Sequence, residues 1–170
     1  MALKLVGVIF TIIGCGSVGF KIAANYRREE RNLQQLLRIL EYMQCELQYR
    51  YTSLPTLCRQ IANTFKGSPG YIFMELATEI ESQISPDASC CMKNIINKDQ
   101  RLPPITKNVF ADLGISIGKF DLNGQVSSIE SVKDSCTRSL NHLRENKDAR
   151  LRSYQTLSLC AGAALAILLI

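Results

Sequence analysis

The chain has little of what chemistry at a site requires. It holds one histidine in 170 residues. That residue, His142, sits between Asn141 and Leu143 with no acid or cysteine partner nearby in sequence, so it reads as a solvated or satisfied side chain. No G-x-x-x-x-G-K-[ST], H-E-x-x-H or G-x-S-x-G occurs, which removes the phosphate loop, the helical zinc site and the nucleophile elbow. Gly114-Ile115-Ser116-Ile117-Gly118 reads as a helix stop instead. The seven cysteines, at 15, 45, 58, 90, 91, 136 and 160, are odd in number and form no C-x-x-C. They read as small reduced core residues of a reducing compartment, and the vicinal Cys90-Cys91 has too few companion ligands for a metal site. No stretch alternates polar and apolar residues for long, so strands are not expected. Net charge is +5, without a continuous basic patch interleaved with aromatics, so no nucleic-acid footprint is read. No catalytic residue, cofactor, metal or small-molecule substrate is expected, because an enzyme needs a nucleophile, base or metal held in mutual reach.

What is present is apolar sequence at both ends. Apolar residues make up 46% of the chain and charged residues 21%, but the apolar ones pile up at the termini. Leu5 to Phe20 and Leu157 to Ile170 carry no charge. From Ala2 to Ala24 a helix rises about 34 Å, enough to cross a hydrocarbon core of roughly 30 Å with Lys21 reaching the interface. The fourteen-residue tail rises about 21 Å, or about 25 Å from Tyr154, so Ile170 ends near the far interface. Gly7, Cys15 and Gly19 suit close packing against Ala161, Gly162, Ala164 and Ala166. Three other readings compete: a buried C-terminal helix, a cleaved signal peptide, and a lipoprotein signal at Ile12-Ile13-Gly14-Cys15. The apolar, helix-like residues after Cys15 oppose the last two. Arg27, Arg28, Arg31 and Arg38 follow the first run, and Arg138, Arg144, Lys147, Arg150 and Arg152 precede the second. By the positive-inside rule the body of the protein lies in the cytosol and both tips cross the bilayer.

Between the ends the pattern is helical. Tyr26 to about Tyr51 carries the stripe Leu33, Leu36, Leu37, Leu40, Met43 and Leu47. Thr52-Ser53-Leu54-Pro55 stops that helix and starts the next, which runs to about Phe65. Lys66-Gly67-Ser68-Pro69-Gly70 breaks the chain before a helix carrying Ile72, Phe73, Leu76, Ala77, Ile80 and Ile84. Ser85-Pro86-Asp87 caps the helix of Cys91, Met92, Ile95 and Ile96. Pro103-Pro104 opens that of Ile105, Val109, Phe110, Leu113 and Ile117. Asp121 caps a last helix reaching Ile170, with its stripe at Leu122, Val126, Ile129, Cys136, Leu140 and Leu143. Short connections make neighbours antiparallel. The expected fold is all-α: a six-helix antiparallel cytosolic bundle over 25–155, flanked by transmembrane helices at 1–24 and 156–170, the second continuous with the last bundle helix.

The chain resembles the stage III sporulation protein AB family of endospore-forming bacteria. The resemblance lies in Leu3-Lys4-Leu5-Val6-Gly7, Gly19-Phe20-Lys21-Ile22-Ala23, Leu33-Gln34-Gln35-Leu36-Leu37 and Glu46-Leu47-Gln48-Tyr49 with Thr52-Ser53-Leu54-Pro55-Thr56-Leu57. It continues in Leu113-Gly114, Asp121, Gln125 and the uncharged tail. Each motif is short, and their order along the whole chain gives the specificity. Ser53 and Leu54 intervene where threonine and proline are expected to adjoin, and Lys119-Phe120 lengthens the connection before Asp121. The resemblance implies a soluble part similar to the cytoplasmic domains of the type II secretion inner-membrane platform protein. It further implies a non-enzymatic membrane component of the channel-like complex between mother cell and forespore, on the mother-cell side in the outer forespore membrane. The partners it implies are a secretion-type ATPase (the AA protein), the complex's other subunits and the lipid bilayer. Glu46, Tyr49 and Gln125 are the candidate partner contacts, although Glu46 taken alone reads as a surface carboxylate, and a packing role is equally open to most of them. The alternative is a membrane-anchored interaction protein, or a lipoprotein, sharing the bundle but not the ATPase.

Overall fold

The computed structural model describes the backbone of residues 2–50, 52–82, 87–100, 102–117 and 122–169, and the side chains of 21–50, 52–82, 87–100, 102–117, 124–145, 156 and 160. Those residues form six helices and no strand: α1 Ala2–Arg50, α2 Leu54–Thr64, α3 Ser68–Glu81, α4 Ala88–Lys98, α5 Pro104–Ser116 and α6 Leu122–Leu169. The expected break between a helix ending at Ala24 and another starting at Tyr26 does not occur. Ala23-Ala24-Asn25-Tyr26 contains neither proline nor glycine, so nothing interrupts the backbone ladder of α1.

The chain divides into two compact units. One is Glu29–Leu140; the other pairs Met1–Arg28 with Asn141–Ile170. No helix among the described residues is long and apolar enough to cross a membrane. The expected spans at 1–24 and 156–170 fall largely on side chains outside the described residues, as do the expected cap at Asp121 and the stop at Gly118.

Within Glu29–Leu140 the core is apolar and closed. Leu33, Leu36, Ile39, Leu40 and Met43 of α1 are completely buried, as are Leu57, Cys58 and Ile61 of α2 and Ile72, Phe73, Leu76 and Ala77 of α3. Met92, Phe110, Leu113 and Cys136 bring α4, α5 and α6 to the same interior. Ile39 and Val132 are buried although the expected stripes omit them, while Leu37 and Val126 are only half-buried. α2 packs on α3, α3 on α4 and α4 on α5. Phe73 meets Phe110 edge to face at 5.9 Å between ring centroids, joining α3 to α5.

Two glycines permit close approaches. Gly70 lies inside the first turn of α3, so the helix starts at Ser68 rather than beyond the glycine. A Cβ at Gly70 would stand 1.8 Å from the Phe65 carbonyl oxygen, so the α2–α3 turn admits no side chain there. Gly114 faces Met92, whose Cβ would be 2.6 Å from an added methyl. It therefore serves α4–α5 packing and does not stop the helix. α5 runs through it and ends at Ser116, with Ile117 extended and its N–H bonded to the Leu113 carbonyl.

The helix starts use different devices. Asp87 accepts from the Cys90 N–H at 2.7 Å, as an N-cap should. Ser53 makes no such bond, its hydroxyl meeting Thr56 Oγ1 at 2.8 Å instead. α5 begins at Pro103-Pro104 and has no cap side chain of its own. Its first free amide, Ile105 N–H, donates at 2.9 Å to Glu29 Oε1 of α1, a carboxylate that is almost wholly buried. A negative group at a helix N-terminus satisfies an orphan donor and opposes the macrodipole favourably.

Candidate functional site

α1 and α6 run antiparallel where they meet inside Glu29–Leu140. Cys136 Sγ approaches the Leu33 carbonyl at 3.6 Å, and further along α1 Gln44 donates to Glu130 Oε2 at 2.6 Å. Lys133 Nζ completes a small polar clasp, 3.3 Å from Gln44 Oε1 and 3.3 Å from Glu130 Oε1. The hydrogen bond from Gln44, and after it Lys133, holds the Glu130 carboxyl below its ordinary range. Five residues past Gln44 on α1 is Tyr49, and five residues before Glu130 on α6 is Gln125. Each step is about 7.5 Å along a helix, so Tyr49 and Gln125 stand at one level.

The three candidate residues differ in what they offer there. Tyr49 is 72% exposed, the most open large apolar side chain described. Gln125 is half-buried. Glu46 is 6% exposed, so the expected surface carboxylate is corrected: it faces inward. Its Oε1 lies 3.2 Å from Arg50 and its Oε2 accepts from Thr52 Oγ1 at 3.1 Å. The Tyr42 hydroxyl donates to it as well. Burial and then the Glu46 charge push the Tyr42 phenol up from its usual value. Tyr42 in turn packs edge to face on Phe65 at 6.1 Å. Glu46 thus fastens the end of α1 to the segment that opens α2, leaving Tyr49 as the outward-facing group.

Tyr42 and Arg50 are absent from the sequence-based candidates, and Thr52 stands there only as a helix stop and a family motif residue. Tyr42, Glu46 and Arg50 are spaced at four, so they share a helix face, and that periodicity was the available signal. The cysteine reading also needs correction. The six described cysteines are free; Cys58, Cys91 and Cys136 are buried, but Cys45 and Cys160 are exposed and Cys90 is half-buried. Burial pushes the Cys58 and Cys136 thiols up to about 12. His142 is exposed on α6. Among the described residues no group of three His, Cys, Asp or Glu side chains is placed to hold a metal ion. What the arrangement offers is a polar and aromatic surface on two long helices, held in place from beneath by a buried carboxylate.

Three comparisons follow from this fold. The sequence model of one family, described as Stage III sporulation protein AB (spore_III_AB), matches residues 4–170. The chain is 23% identical to the stage III sporulation protein AB of Bacillus subtilis (strain 168), over 98% of this chain and 99% of that protein. It is similar to a solved structure of stage III sporulation protein AB (SpoIIIAB) with a TM-score of 0.63 and 18% identity, covering 72% of this chain and 98% of that one. At that identity the likeness speaks for the helical fold.

Proposed function

The chain belongs to the stage III sporulation protein AB family, and from that premise we propose that it is a non-enzymatic membrane component of the channel-like complex between mother cell and forespore. In this reading the helical bundle lies in the mother-cell cytosol and docks a secretion-type ATPase. The two apolar ends lie in the outer forespore membrane and contact the complex's other subunits. The observation that supports it is α6. One helix runs without interruption from Leu122, through the buried stripe Ile129, Val132, Cys136 and Leu140, into the uncharged tail that ends the chain. Nucleotide-driven motion at the bundle would tilt or turn that helix, and the same rod would carry the motion into the bilayer.

Two measurements on the full-length protein test this. The first is co-purification with a secretion-type ATPase from the same cells, compared with Tyr49→Ala. The expected result is capture by the unsubstituted chain and loss of capture with the variant at unchanged melting temperature. Absence of capture by the unsubstituted chain rejects ATPase docking. The second uses Cys45 and Cys160, both exposed in the fold. In inside-out vesicles a membrane-impermeant maleimide should label Cys45 rapidly and spare Cys160 until detergent is added. Prompt labelling of Cys160 in intact vesicles would mean the tail is not embedded.

A further inference from the structure

The formal charge is distributed very unevenly between the two units. Eight of the 20 lysines and arginines, but only two of the 15 aspartates and glutamates, fall in Met1–Arg28 and Asn141–Ile170. That unit therefore carries +6, while Glu29–Leu140, with the other twelve cations and thirteen acids, carries −1 against a total of +5. The bundle that would meet a soluble partner is close to neutral. The basic character of the whole chain comes from the unit that also holds both apolar runs.

Within that unit the cations are graded along the chain. Lys21, Arg27 and Arg28 close its first segment, and Arg144, Lys147, Arg150 and Arg152 open its second. The uncharged residues run from there toward the two termini. Lys21, Arg27, Arg28 and Arg144 are exposed. Arg152 precedes Leu157 by five residues, about 7.5 Å of helix, and Arg27 follows Phe20 by seven, about 10.5 Å. The headgroup layer outside the hydrocarbon is roughly 5–8 Å deep, and charges interact across about 8–10 Å at physiological salt. If the apolar runs are embedded, as the proposed function holds, Lys21, Arg27, Arg28, Arg150 and Arg152 stand within one screening length of the lipid phosphates. Within the unit Glu145 and Asp148 offset them in part, and Glu29 and Glu30 follow Arg28 directly in the other unit. Basic clusters that abut a membrane segment attract anionic headgroups at this range, and an acidic protein would have to displace those headgroups to compete.

We propose that the unit formed by Met1–Arg28 and Asn141–Ile170 selects anionic phospholipids, its cations holding their phosphates around the point where the chain enters the bilayer. The inference rests on the anchoring reading but makes a separate claim, since an inserted helix pair needs no particular headgroup. The test reconstitutes the full-length protein into vesicles of phosphatidylcholine with a minor fraction of phosphatidylglycerol. Discs of protein with surrounding lipid are then cut out with an amphipathic copolymer and their lipids compared with the bulk. About twofold or greater enrichment of phosphatidylglycerol is expected, reduced toward the bulk ratio in about 1 M salt. Arg27→Gln, Arg28→Gln, Arg150→Gln and Arg152→Gln together should abolish the enrichment while the variant still resists carbonate extraction. A carbonate-resistant wild type at the bulk lipid ratio overturns the proposal and leaves anchoring intact. So does equal enrichment by the variant. Release of the wild type by carbonate overturns anchoring, and headgroup selection falls with it.

Discussion

Replacing Glu46 by alanine separates an internal fastening from a partner contact. The carboxylate is almost fully buried and accepts from two neutral hydroxyls, those of Thr52 and Tyr42. Hydrogen bonds to a charged acceptor are worth about 1.5–3 kcal/mol each, less where the freed partner can turn to water, as half-buried Tyr42 can. The ion pair adds little, because Arg50 is 73% exposed and i,i+4 pairs of that kind contribute about 0.3–0.5 kcal/mol. Alanine regains a few tenths through helix propensity. The net loss is about 2–3 kcal/mol. That corresponds to a fall of roughly 8–12 °C in Tm for a unit of this size, read by far-ultraviolet circular dichroism on the detergent-solubilised chain. Glu46→Gln keeps an acceptor and should lose about half as much. Tyr49→Ala, at a wide-open position, should stay within about 0.5 kcal/mol. If Glu46→Ala melts within about 1 °C of the wild type, the buried fastening contributes nothing and the reasoning fails.

Gly70→Ala should cost about 2 kcal/mol or more, because the clash with the Phe65 carbonyl outweighs the roughly 1 kcal/mol that alanine gains inside a helix; urea unfolding checks this, and a stabilised variant would refute it. Phe73→Ala removes a fully buried ring and its edge-to-face contact with Phe110, and should cost about 3–5 kcal/mol by the same assay. Cys58 and Cys136 keep their protons more tightly in the fold than when unfolded, so unfolding releases protons above the ordinary thiol range. Stability should therefore fall as pH rises from about 9 toward 12, visible as a declining Tm. At pH near 8 iodoacetamide should modify Cys45 and spare Cys58 and Cys136 until denaturant is added.

The helices were legible in the sequence because each carries its own stripe and punctuation. Pro104, Asp87 and the Gly67 turn appear where local rules put them. Local rules also explain the errors. The expected span and the first bundle helix read as separate at Asn25 because their compositions differ, yet composition does not break a backbone ladder. The stretch Gly114 to Gly118 does end α5, at Ser116, but the packing against Met92 that requires Gly114 is not legible in it. The candidate site was half legible. Tyr49 and Gln125 stand level on antiparallel helices, but whether Glu46 turns inward depends on Tyr42 and Thr52 meeting it across a helix end. Stripe counting could not decide that for a polar residue beside the stripe.

The bond from Ile105 to Glu29 spans 76 positions of sequence. The donor belongs to a helix with no cap of its own, and the acceptor has long since left the ribosome when that helix is made. α5 therefore cannot satisfy its first turn from within. Its start is completed by a side chain of α1, so the two helix ends are held to one another in the finished body. A chain cut before residue 105 would already hold Thr52 and Phe65 against the far end of α1, yet leave the Glu29 carboxylate without the amide it receives in the complete body.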